Sequence, residues 1–190
     1  MGLTQLGRRR AMTRLGARVR RDGTCYRVRR WAATSLGDFW IETHEGRHVY
    51  RIGVAGMPGV LEMEDAHGDQ QCLISDRGLP VRRTIHIELP NGPGLAVVEG
   101  GAGAPGDAPW TVELVDGRRL LVLGSVVDHE YTVVSGRRRL AAVSTRWFRD
   151  ADSSGVLIPL DEDPVLALAV GVALDSAARP VRPSAVISRG

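Results

Sequence analysis

A chain of 190 residues, 43% of them hydrophobic, suits one domain with tails and has enough aliphatic side chains for a real core. Its two cysteines, Cys25 and Cys72, exclude a disulfide framework and a zinc-finger type of site. The formal charge of +3 conceals an asymmetry: residues 1–37 carry ten Arg against the single acid Asp22, a net of +9, while the remainder is net −6.

Residues 1–22 form the basic arm, with Arg8, Arg9, Arg10, Arg14, Arg18, Arg20 and Arg21. Leu3, Leu6, Met12, Leu15 and Val19 loosely mark one helical face within it. A basic amphipathic segment suits an anionic lipid surface or an acidic protein partner. The plainer alternatives are a solvated leader, or an arm resting on the body's own acidic surface. No base-reading motif accompanies the charge, which argues against nucleic acid. No continuous apolar stretch precedes residue 30, so a secretory signal is not expected and the address is cytoplasmic, peripheral at the membrane if the arm engages lipid.

From residue 23 a hairpin rhythm begins. Gly46, Gly68, Gly92, Gly117 and Gly136 each sit in a polar turn between two strand-like runs, spaced 22, 24, 25 and 19 residues apart. Glycine there supplies the positive φ that tight hairpin turns require. The runs read as strands over 25–31, 38–43, 48–53, 60–64, 70–75, 84–89, 95–99, 110–114, 118–124, 130–134, 138–147 and 155–160. Alternation is clearest where Ile85, Ile87 and Leu89 oppose Thr84, His86 and Glu88, and where Trp110, Val112 and Leu114 oppose Thr111 and Glu113. One apolar and one polar face marks an antiparallel sheet wetted on one side.

The chain then changes character. Asp163 is a good N-cap and Pro164 suits the first helical position. From Val165 to Leu174 no face is polar, so the predicted helix near 164–178 must be enclosed. Ten apolar residues rise only ~15 Å, about half of the ~30 Å of a bilayer's hydrocarbon core, so protein must enclose it. A dozen antiparallel strands leave exposed edges unless they close, and a barrel of that size is too wide for side chains alone to fill. The fold class expected is therefore mainly β: a closed antiparallel barrel of about twelve strands enclosing one apolar C-terminal helix. The domain spans 23–178, with a tail at 179–190, and a monomer is expected.

These residues resemble the LURP-one-related family, which groups with the tubby C-terminal and phospholipid scramblase proteins. The likeness rests on Tyr26–Arg30, Ser35–Glu42, Glu45-Gly46, Val49–Ile52, Glu64–Gly68, Asp128–Tyr131, Ser144–Phe148, Gly155-Val156 and the closing helix at Asp163. It implies a twelve-stranded barrel around a central C-terminal helix, the tubby-like fold. For function it implies little: the family is similar to the tubby proteins, which bind phosphoinositide headgroups, and to the scramblases, which act on phospholipids. The chain departs from the family pattern at Gly56–Gly59 and Ala151–Gly155, and it has no Lys with which to imitate a tubby-type phosphoinositide site.

No catalytic constellation is expected, and no metal or cofactor. Gly101-Ala-Gly-Ala-Pro-Gly106 has the glycines of a dinucleotide loop, but Asp107-Ala-Pro109 and a strand follow, not the helix that would hold a pyrophosphate. A P-loop needs a Lys. His44 and His48 flank a turn without a third ligand. A strand through Asp128-His129-Glu130 would point His129 away from both acids, giving it a structural role instead of a place in a triad. Glu62, Glu64 and Asp65 read as a solvated face, Arg137–Arg139 as split across the sheet. The dispersed Trp31, Trp40, Trp110 and Trp147 read as packing residues. The function expected is a non-enzymatic binding or scaffold module that associates with anionic phospholipid surfaces; the alternatives are scramblase-like lipid handling, or binding of nucleic acid or an acidic partner through the Arg-rich arm.

Overall fold

The computed structural model describes residues 23–29, 39–57, 59–78, 83–100, 110–148 and 153–178. The arm 1–22, the tail 179–190, Trp31, the first half of Ser35–Glu42 and the Gly101–Gly106 loop thus lie outside the described residues. Twelve strands are formed among them: β1 (Thr24–Arg29), β2 (Phe39–Thr43), β3 (His48–Val54), β4 (Val60–Asp65), β5 (Gln70–Asp76), β6 (Thr84–Glu88), β7 (Gly94–Glu99), β8 (Thr111–Leu114), β9 (Arg119–Ser125), β10 (Glu130–Ser135), β11 (Arg138–Ser144) and β12 (Ser153–Ile158). A 3₁₀ turn covers Thr145–Trp147, and the helix α1 runs Pro164–Ala177. Each strand pairs antiparallel with its neighbours in sequence, and β12 closes the circle on β1, from Thr24 opposite Ile158 to Arg29 opposite Ser153. Closure leaves no free edge, as the alternation requires.

Three hairpins use one turn. In each, the last strand residue (Thr43, Asp65 or Leu114) donates its N–H to the carbonyl four residues on and accepts the N–H of Gly46, Gly68 or Gly117. Those glycines have φ of 88°, 88° and 81°, and Gly136 in the tighter β10–β11 turn has 58°. Gly92 corrects the expectation. It is not among the positive-φ glycines, because the longer Leu89–Pro93 connection reverses the chain without one. Leu89 lies in that turn and is exposed, not inward-facing.

Two strand ends also differ from expectation. β11 stops at Ser144 because the Glu130 carboxylate accepts Ser144 Oγ, Thr145 N and Thr145 Oγ1, at 3.0, 3.1 and 2.9 Å, drawing the chain off the ladder into the 3₁₀ turn. Burial alone would raise the Glu130 pKa, but these donors outweigh it and hold the carboxyl below the usual range. β12 ends at Ile158 because Pro159 has no N–H to offer a ladder. The 3₁₀ turn lays Trp147 and Phe148 over the outer face, where they cover Cys25 and Leu157 in a small second core.

The main core lies between the barrel wall and α1. Asp163 Oδ1 accepts the Val165 N–H at 2.9 Å, making the predicted N-cap, and Pro164 opens the helix. Leu168, Val170, Val172 and Leu174 are all buried, on different faces of one helix. Ile41, Ile52, Met63, Ile74, Ile85 and Ile87 meet them from the wall. Replacing Val170, which is fully buried, with Asp should therefore strand an unpaired carboxylate and cost several kcal/mol, roughly half of a typical domain's stability. Solubility and thermal melting of Val170→Asp test this. A soluble, cooperatively melting protein would show that the helix is not the centre of the fold.

Candidate functional site

Antiparallel order gives the barrel two unlike ends. The hairpins at residues 44–47, 66–69, 89–93, 115–118 and 136–137 all fall at one end, together with the N-terminus of α1. The connections after β1, β3, β5, β7, β9 and β11 fall at the other, where α1 ends. Connecting segments carry function more often than the strands they join, so this second end is the natural place to look for a site.

Polar side chains gather there around the end of the helix. Asp175 is the one charged residue of α1, and an acid near a helix C-terminus is unfavourable by itself. His129 Nδ1 approaches Asp175 Oδ1 to 2.5 Å, an ion-pair distance reached off the hydrogen-bonding direction. Arg83 stands at the same end: its Nη2 donates to the Ser176 carbonyl at 3.2 Å and its Nη1 pairs with Asp76 at 3.1 Å. A cation on the last carbonyls of a helix caps them and opposes the dipole.

The position of His129 overturns the strand reading of Asp128-His129-Glu130. His129 occupies the β9–β10 turn at φ 54°, outside any strand, and its N–H donates to the Val126 carbonyl. The turn is fixed by Ser125 Oγ donating to Asp128 at 2.7 Å. Histidine tolerates this left-handed region better than most residues do. From there the ring reaches inward to the helix. Asp128 and Glu130 are spent on the turn and on Thr145, so neither of them orients the His129 ring.

Beside this cluster the helix stands off the wall. α1 leans on β5, β6 and β7, leaving a cavity of ≈ 20 Å³ toward β1 and β10–β12. Phe39, Tyr131, Val156, Leu168, Gly171 and Asp175 are among its lining residues. That volume holds about one water molecule. Burial pushes the Tyr131 hydroxyl well above its ordinary pKa, with Asp175 adding to the shift, so it stays a neutral donor.

Elsewhere the candidate residues are occupied structurally. His44 meets Glu45 and His48 meets Glu42, both at 3.1 Å, in separate pairs, and His48 also stacks on Trp40 with ring centroids 4.8 Å apart. Trp40 thus serves the outer face, while Trp110 packs against the core. Glu42 is buried on the outer wall among His48, Arg27 and Arg29. Glu64 pairs with Arg51, Glu62 accepts Gln70, and Asp65 Oδ1 accepts two turn N–H groups. Arg138 is held by Asp161 and Glu162. Burial pushes Cys25 and Cys72 up to about 12, with Asp163 adding to the rise at Cys72, so neither thiol is a nucleophile at neutral pH. No group of three metal-ligating side chains occurs among the described residues, and no described helix is long and apolar enough to cross a membrane. Arg8, Arg9, Arg10, Arg14, Arg18, Arg20 and Arg21 lie outside the described residues.

This architecture has a solved counterpart. The X-ray structure of a protein from Arabidopsis thaliana, AT5G01750, superposes with a TM-score of 0.59 at 17% sequence identity, over 82% of this chain and 91% of the other. The two share a fold. No family model matches the chain, and no curated protein matches it.

Two expectations follow from the geometry. Gly171 faces the cavity, and a Cβ there would lie 3.9 Å from the Tyr131 hydroxyl, an ordinary contact. Gly171→Ala should therefore stabilise the protein by about 1 kcal/mol, the helix-interior difference between the two residues, as read by denaturant unfolding. A loss of stability would mean that the cavity needs its space. The His129–Asp175 pair should show a coupling energy of roughly 0.5–3 kcal/mol in a double-mutant cycle with His129→Ala and Asp175→Ala. Strict additivity of the two losses would remove the link between turn and helix.

Proposed function

We propose that this chain is a LURP-one-related protein that works as a non-catalytic binding module. Its barrel is the scaffold, and anionic phospholipid surfaces are engaged by the Arg-rich arm at residues 1–22. The reading rests on the ordered motifs from Tyr26 to Asp163, and the solved Arabidopsis fold is consistent with it.

One observation carries the functional half: α1 occupies the inside of the barrel, and the cavity beside it holds about one water. A ligand larger than a water does not fit that cavity, which favours the outer surface as the place of recognition. On that outside the strongest feature is the charge division, net +9 over residues 1–37 against net −6 beyond them. Seven Arg within residues 8–21 favour a negatively charged surface, at about 1 kcal/mol each close to a bilayer. A cytoplasmic, membrane-peripheral, monomeric protein follows from this reading, and the two buried free thiols are compatible with a reducing compartment.

The test is flotation of the full chain with phosphatidylcholine vesicles, with and without roughly one third phosphatidylserine. Binding is expected to the anionic vesicles alone and to weaken as salt screens the charges. Replacing Arg8, Arg9, Arg10 and Arg14 with Ser should reduce it by about a thousandfold at low salt, four contributions of ~1 kcal/mol. Equal binding by both proteins would take the arm out of the mechanism. Absence of binding by either would leave a module for a soluble acidic partner.

A further inference from the structure

The outer wall of the barrel is not uniformly polar. On β9 the outward residues Leu121 and Leu123 are 47% and 55% exposed, and Val127 in the following turn is 48% exposed. β10 and β11 extend the strip sideways: Thr132 lies opposite Leu123 and Ala142, and Val134 opposite Leu121. Elsewhere the wall carries outward charges, such as Glu62, Glu64 and Glu88, so this stretch stands apart. Leucines aligned on the wet side of a strand are an unpartnered surface.

We propose that the strip is the docking surface for the arm of the same chain, with Met12, Leu15 and Val19 packed on Leu121, Leu123 and Val134. Met12, Leu15 and Val19, three and four residues apart, fall on one helical face, while Arg10, Arg14, Arg18 and Arg21 fall on the opposite one. Such a segment needs an apolar surface on one side only.

Three quantities favour this occupant. The first is size. Three half-exposed side chains and their neighbours offer roughly 300–400 Å², well under the ~800 Å² per partner that a stable dimer buries, yet enough for one face of a short helix. The second is reach. β1 and β9 are separated by four strand spacings, ~19 Å along the wall. From Gly23, at the start of β1, four extended residues cover ~13 Å and one helical turn from Val19 to Leu15 adds ~6 Å, so Leu15 arrives at β9. The third is charge. The arm is strongly positive and the body is net negative as a whole, although beside the strip Glu113 and Asp116 already pair with Arg119 and Arg118, and Asp128 accepts Ser125 Oγ. Tethering adds an effective concentration that a free partner lacks.

Docking in this sense goes further than the lipid reading and does not depend on it. With its apolar face on the wall, the arm would turn its Arg stripe outward, so lipid binding and docking are separate measurements.

The test uses the full chain. Both native thiols are buried with raised pKa values, so an introduced cysteine reports its own site. Leu123→Cys should be alkylated at least tenfold more slowly than Met57→Cys, a 60% exposed position at the opposite end of the barrel from the hairpins. Adding Leu15→Asp and Val19→Asp should remove most of that protection at Leu123→Cys and leave the Met57→Cys rate unchanged. A parallel melting curve checks that the barrel stays folded. Equal rates at the two positions in the intact chain would overturn the proposal, as would protection that survives the arm substitutions. Protection that grows with protein concentration would assign the strip to a second copy and would overturn it equally.

Discussion

A twelve-stranded barrel and an all-apolar helix are each unstable alone, and the fold rests on each removing the other's defect. The closed wall encloses a space that side chains from the strands cannot fill. The helix carries apolar residues on every face and has no tolerable exposure to water. Placing one inside the other buries Leu168, Val170 and Leu174 against Ile41, Met63, Ile74, Ile85 and Ile87. Closure also removes the edges that a sheet of this length would otherwise expose. The remaining features of the molecule are arrangements around that contact.

The two ends of the barrel differ because the helix has a direction. At the hairpin end, Asp163 caps the first turn, and Arg138 ties the segment before it through Asp161 and Glu162. At the other end the helix stops without a glycine cap, and Arg83 takes the Ser176 carbonyl instead. His129 meets Asp175 there, so the β9–β10 turn and the helix are held to one another across the barrel opening. Both contacts place a basic group where the helix terminus is partly negative. The polar side chains Arg83 and His129 at this end therefore hold the end of the helix.

That outer surface has its own organisation. On β1 and β12 a second small core forms where Trp147 and Phe148 cover Cys25 and Leu157, and Arg27 lies 5.5 Å from the Phe148 ring centroid. Glu42 is buried beside it among cationic partners. Further round the wall, the apolar strip of β9 has no cover from another described element, and the charged arm is the part of the sequence whose pattern complements it.

The sequence by itself determined the local elements. Turn glycines and alternating runs located all twelve strands to within a few residues, because glycine and period-two patterning act over neighbours in the chain. Asp163, Pro164 and the apolar run after them located the helix and required its enclosure. Tertiary structure decided what depends on residues distant in sequence. β11 ends at Ser144 because Glu130, fourteen residues away, takes the hydrogen-bonding groups of Ser144 and Thr145. His129 leaves the strand because its turn, closed by Ser125 and Asp128, delivers the ring to an acid 46 positions further on. No local spacing encodes such a pairing, since it exists only once the barrel has closed around the helix.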